Sequence, residues 1–325
     1  MIGLVVNNFI SAVSDSINTG KVTIVINEAT GIIEDILQGE PADDQTDLDI
    51  YTFDEDCTVL PGFIDCHVHL TIFEDDYQLD HLRLSSAAKG LRALKAAQGL
   101  LQAGFTTVRS AGDADKYYPS FAVAKSIEKG EFVGPRIVGA GHYISVTGGG
   151  GDINFFSADN CPCCVADGVI ADGKEQMIAA VRKEIKYGSD WVKIKATGAF
   201  MSASTGAKDS PENTHMSYEE IRACVEEANR RQVHVMVHAH GSEGIALAAN
   251  AGKPVSKIPK NTRRKCASFV LFSSSLQAAA PLNMHPLLMQ PVLKPAYAIM
   301  SGLYQPLLYG NTTLKKAVRA ARNHG

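Results

Sequence analysis

The chain has 325 residues, 45% of them hydrophobic, and carries 31 basic against 35 acidic side chains for a formal net charge of −4. That length allows one large or two modest domains, and that apolar share is ample for a buried core. Seven cysteines, with neither a basic start nor a small-residue cleavage site in Met1 to Val13, argue against a disulfide scaffold and favour the cytoplasm.

In chain order, residues 1–60 read as short strands and turns. Lys21 to Ile26, the turn Asn27-Glu-Ala-Thr-Gly31 and then Ile32-Ile33 form a hairpin-like pattern. Residues 61–252 alternate strands with amphipathic helices. The pattern predicts strands near 61–68, 105–109, 136–144, 190–195 and 233–238, and helices near 86–103, 118–129, 174–187, 217–231 and 242–251. Ser217 followed by Glu220 is a capping box at a helix start. Such alternation implies a parallel sheet with helices on its faces.

The chemistry-bearing residues fall at the ends of predicted strands. Residues 61–70 read PGFIDCHVHL, and side chains two apart on a strand share a face. His67 and His69 can therefore reach one metal ion, and Asp65, one step back on that face, can orient a ligand from behind. The plain alternative is a pair of surface histidines on a strand end. Residues 190–198 read DWVKIKATG, with Lys193 and Lys195 inside an apolar strand, where lysine is normally avoided. A lysine facing a strand-end cavity loses its proton more easily, and the neutral amine can take up carbon dioxide as a carbamate, an anionic oxygen ligand. Residues 234–241, HVMVHAHG, close another strand with His234, His238 and His240 in phase.

The motifs VLPGFIDCHVHL (59–70), GFTTVRSAGD (104–113), GPRIVGAGHYISVTGGGGD (134–152), WVKIKATGA (191–199) and VMVHAHG (235–241) together resemble the metal-dependent amidohydrolase superfamily. Within it, the chain is most similar to the imidazolonepropionase-like and Xaa-Pro (prolidase-like) dipeptidase branch. The resemblance implies an α/β fold, a (β/α)8 TIM-type barrel that is incomplete here, with a small N-terminal β-sandwich portion. It places the first-strand metal ligands on His67 and His69, the carbamylated lysine on Lys193 and the fifth-strand histidine on His238, with His240 as a neighbour. It implies a divalent metal, zinc for preference and two per subunit in the intact family, that activates water to hydrolyse carbon–nitrogen bonds. Lys193 and His238 then carry the catalytic assignment, and Arg109, His142, His240 and Asp65 are candidates for substrate or supporting contacts.

The chain also departs from the family. Gly150 stands where the family has a histidine, and Ser110 stands where it has an aspartate. After Gly252 the sixth-strand histidine and the eighth-strand aspartate, the family's base, are missing. Residues 253–325 hold eleven basic residues, seven prolines and no Asp or Glu, so they carry +11 while residues 1–252, with 20 basic and 35 acidic, carry −15. We therefore expect three parts: 1–60, a partial sandwich with an exposed edge; 61–252, the barrel portion; and 253–325, a basic, proline-rich tail of atypical sequence. A frameshift, a retained intron or a mistaken gene model produces so abrupt a break.

Three functions follow as expectations. The first is a metal-dependent amidohydrolase acting on a small-molecule or dipeptide substrate. The second is a catalytically inactive, truncated fragment of such an enzyme, able to bind one metal weakly. The third is a non-enzymatic protein whose basic run, Lys257 to Lys265, meets nucleic acid or a membrane. Neither nucleic acid nor membrane is the partner favoured: Cys266 to Leu293 is free of charge but broken by Pro281, Pro286 and Pro291. A homo-oligomer is left open. Cys161, Cys163 and Cys164 lack a second pair nearby and read as loop thiols.

Overall fold

The computed structural model describes residues 1–11, 17–41, 47–72, 77–153, 168–199, 210–252 and 270–272. Two sheets organise them. The first is built from β1 (Ile2–Ile10), β2 (Ile17–Ile26), β3 (Ile33–Gln38), β4 (Asp49–Thr52) and β5 (Thr58–Val59). Its order is β3-β2-β1-β4, with β5 also on β1. β1 and β2 pair antiparallel from Ile2↔Ile26 onward, and β2 pairs with β3 through the turn after Asn27. The alternating Ile2, Leu4, Val6 and Val22, Ile24, Ile26 fill its core. Ile33, Ile36 and Ile50, on the outer strands, stay exposed.

The second sheet begins with β6 (Phe63–Val68) and continues through α1 (Tyr77–Arg83), α2 (Ser86–Gln102), β7 (Phe105–Asp113), α3 (Pro119–Glu128), β8 (Arg136–Ser145), β9 (Val169–Ile170), α4 (Gly173–Lys186), β10 (Trp191–Lys195), α5 (Tyr218–Arg230), β11 (His234–His238), α6 (Ser242–Ala251) and β12 (Val270–Phe272). The strands run in the order β12-β11-β10-β8-β7-β6, all parallel, with short β9 beside β8. Sequential parallel neighbours joined by helices are the units of a (β/α)8 barrel, and the described residues hold five such units and a sixth strand, β12. Among the described residues the barrel is incomplete, as expected from the sequence.

Why these residues make these elements is visible in their faces. On β10 and β11 the alternating Val192, Ile194, Val235 and Val237 point to the helices and are fully buried, against Met177, Val181, Ile221, Cys224 and Val225 from α4 and α5. Each such side chain contributes about 1.5–3 kcal/mol of burial. The residues between them, including both lysines of β10, face the barrel interior. The Ser217 side chain and Glu220 close the capping box that starts α5. On α2 the buried stripe runs Lys89, Ala93, Ala97, Leu101, at the four-residue spacing of one helix face.

β12 falls inside the stretch read as an atypical tail. It pairs parallel with β11, Met236↔Val270 to His238↔Phe272, so the sheet continues past Gly252. The absence of acids across 253–325 removed the polar–apolar contrast that made the earlier units readable. The Cys161 cluster, the basic run and the rest of that stretch lie outside the described residues.

Candidate metal centre

The C-terminal ends of the barrel strands gather a set of nitrogen bases around one amine. Lys193 sits on β10, 1% exposed, and burial pushes its ammonium down to about 7, helped by the charges of Lys195 and Arg109. His67 is the last residue but one of β6 and His69 follows the strand, their ring centres 5.3 Å apart. His238 closes β11, with the His240 ring edge-on at 4.3 Å. Burial lowers the pKa of all four imidazoles, His69 to about 3, and the Lys193 charge lowers each further. They are therefore neutral at physiological pH, the form that donates a lone pair to a metal.

Backbone carbonyls fix which nitrogen is free. His69 Nδ1 lies 2.8 Å from the Gly112 carbonyl, which only accepts, so Nδ1 carries the proton and Nε2 is left to coordinate. His238 is held the other way round: Nε2 donates to the Gly198 carbonyl at 2.9 Å and Nδ1 is left free. Thr197 Oγ1 accepts from the His240 N–H, at 3.1 Å.

Among the described residues, no three His, Cys, Asp or Glu side chains gather closely enough to hold an ion by themselves. The donor set fits a divalent metal once Lys193 is counted as an anionic oxygen donor, the carbamate, flanked by the neutral imidazoles of His67 and His69. Asp113 and Asp152 each bond to other groups. The Asp113 carboxylate accepts from Ser120 and Thr71, and Asp152 accepts from the Gly148 N–H at 2.8 Å.

The supporting candidates separate. The Asp65 carboxylate accepts from the His67 main-chain N–H at 2.9 Å, so it pins the strand end rather than an imidazole. Arg109 acts on the site through its charge, which lowers the pKa of Lys193 and His67. Its guanidinium stacks on Trp191 at 4.3 Å and its Nε donates to the Cys66 carbonyl. His234 rests on the same Trp191 ring, 5.0 Å away, remote from His238.

His142 does not line the site. Its Nδ1 lies 3.0 Å from Glu184 Oε1 on α4, its N–H donates to Glu184 Oε2, and its ring packs on Tyr118 at 4.3 Å, all on the helix side of β8. The next residue, Tyr143, is the one that faces the interior, with its ring edge-on to His69 at 6.2 Å and the Lys195 ammonium 4.0 Å above it. Lys195 also donates to the Gly150 carbonyl at 2.8 Å. Neither Tyr143 nor the Lys195 contacts were anticipated; strand parity from Lys193 and His69 was the signal available for both.

A model of the amidohydrolase family matches residues 58–285, a span that passes beyond Gly252. Ochratoxinase from Aspergillus niger is 34% identical over 214 residues, a match that takes in 60% of this chain and 42% of that protein. The chain thus spans less than half the length of this relative. Of solved structures, a Xaa-Pro dipeptidase with methionine bound in its active site superposes with a TM-score of 0.68 at 23% identity, over 98% of this chain and 84% of that one. Aspergillus niger ochratoxinase gives 0.65 at 24%, over 100% and 74%. At these identities the structural likeness speaks to the fold.

Proposed function

The chain belongs to the amidohydrolase family, and from that premise we propose that it is a metal-dependent hydrolase of carbon–nitrogen bonds in small amides or dipeptides. The single observation that carries this reading is Lys193: a fully buried amine, lowered to about 7, inside a ring of neutral imidazoles. In that state the amine adds to carbon dioxide; the new N–C bond forms, a proton leaves to water, and the product is an anionic carbamate. His67 through its second nitrogen, His69 through Nε2 and the carbamate would hold one ion. His238, through Nδ1, would help to hold a second ion. Zinc suits imidazole with an oxygen anion. The bound metal supplies a water of lowered pKa and polarises the substrate carbonyl. Hydrolysis would consume one water: its oxygen would end on the carbonyl carbon, the C–N bond would break and a proton would pass to the departing nitrogen. Tyr143 and Lys195 border the space where the substrate would lie.

A second reading has its own support. The Asp113 carboxylate is engaged by Ser120 and Thr71, which argues against it as the group that moves that proton. The chain would then bind metal without turnover. Metal content per chain, measured for the wild type and Lys193→Ala, with dipeptide and N-acyl amino acid hydrolysis in parallel, separates the two. Two metals per chain, lost in the variant, with hydrolysis, support the enzyme. One metal and no hydrolysis support the inactive form, and none contradicts both. Among the described residues no helix is long and apolar enough to cross a membrane. We place the protein in the cytoplasm, without nucleic acid or membrane as partner, and leave self-association open.

A further inference from the structure

Three polar groups tie the loop after β6 to the end of β7. The Thr71 hydroxyl donates to Asp113 Oδ1 at 3.2 Å and accepts from the Ala114 N–H at 3.1 Å. Asp113 Oδ2 accepts from the Ser120 N–H at 2.9 Å, and the Ser120 hydroxyl closes on Oδ1. Two residues before Thr71, the His69 ring is bonded to the Gly112 carbonyl, next to Asp113. The segment 69–71 is thus fastened at both ends to the segment 112–114.

Both halves of this fastening are specific. Asp113 is completely buried, and burial pushes its carboxyl up to about 6 against the pull of its Ser120 and Thr71 donors. Gly112 has φ +105, and a Cβ there would stand 2.8 Å from the His142 carbonyl carbon and the Tyr143 nitrogen, so only glycine fits. The carbonyl that receives the His69 proton is therefore set by backbone packing, and Asp113 holds that backbone against the histidine's own loop.

We propose that Asp113 and Thr71 are positioning residues for the metal centre: their clasp holds His69 against the Gly112 carbonyl and so presents Nε2 inward. The plainer role for Asp113 is to cap α3, whose N-cap residue Tyr118 offers no side-chain bond of its own. The two roles use different partners, which makes them separable. Thr71→Val cuts the ligand-loop side alone, and Ser120→Ala cuts the α3 side alone.

The direct readout is the tautomer of His69 in the metal-free chain, by long-range proton–nitrogen NMR. It does not depend on the metal reading above, whereas a cobalt(II) titration of the same variants does. The wild type should show the proton on Nδ1. Thr71→Val should give a mixture of tautomers and bind cobalt about 10- to 100-fold more weakly, with an altered visible spectrum. Thr71→Ser should restore both, and Ser120→Ala should lower thermal stability while leaving both unchanged. An unaltered His69 tautomer in Thr71→Val overturns the proposal. A wild type with the Nδ1 tautomer, lost in Thr71→Val, that takes up no cobalt keeps the clasp and removes the metal reading instead.

Discussion

Lys89 and Lys193 are both buried, 3% and 1% exposed, in regions that treat the same side chain in opposite ways. Lys89, on the inner stripe of α2, donates to Asp115 Oδ2 at 2.8 Å and to the carbonyls of His81 and Ala114. Each of its three hydrogens has an acceptor, so the ammonium is matched by its surroundings. Lys193, at the barrel's strand ends, is surrounded by imidazoles and by the charges of Lys195 and Arg109. No carboxylate is among the groups that shift it, and it drifts toward the neutral amine. Burial is common to both; the partners decide whether a lysine becomes structural cement or a reactive group.

The sharpest way to test this contrast is to remove each lysine's defining feature in turn. Lys193→Ala should bring metal content to background and cut any amide hydrolysis by more than about a hundredfold, while the chain still folds. Asp115→Ala should do the reverse. It strands a buried ammonium and should lower stability to urea by about 3–5 kcal/mol, with metal content per folded chain unchanged. A loss of metal in Asp115→Ala at full folding would erase the distinction.

Lys193 also carries a signature in pH. Lys193 has a folded pKa near 7 against about 10.4 when unfolded. Between those values the unfolded chain binds the extra proton, so stability rises with pH across that window, by at most about 1.4 kcal/mol per pH unit, and is flat in this respect below 7. The slope should appear as the difference between the metal-free wild type and Lys193→Met in unfolding experiments from pH 7 to 10. The smallest effect is expected on the helix side of β8. Glu184→Gln disturbs the acceptor shared by His142 and Tyr118 and should lower stability by about 1–3 kcal/mol, leaving metal content intact.

Much of the barrel was legible because its strands and helices have distinct periods. The β10 strand, predicted near 190–195, runs Trp191–Lys195, and the α2 helix, predicted near 86–103, runs Ser86–Gln102. His67, His69, Lys193 and His238 were readable because strand-end polar residues in apolar runs have few structural uses. His142 misled because Gly139 and Gly141 leave β8 without an alternating pattern, and one step of phase exchanges the faces, bringing Tyr143 inward instead. Lys89 was invisible as a buried group: a lysine on a helix reads as solvated, and its partner Asp115 lies 26 residues away. The Thr71–Asp113 clasp was hidden for the same reason, since side chain pairs across two loops leave no local signature.

The account turns on the chemical state of Lys193, and carbon-13 NMR with labelled bicarbonate observes it directly. A carbamate carbon resonance in the metal-loaded wild type, absent from Lys193→Ala and present in Lys195→Met, is the predicted result. Metal-loaded protein with no such resonance would contradict it.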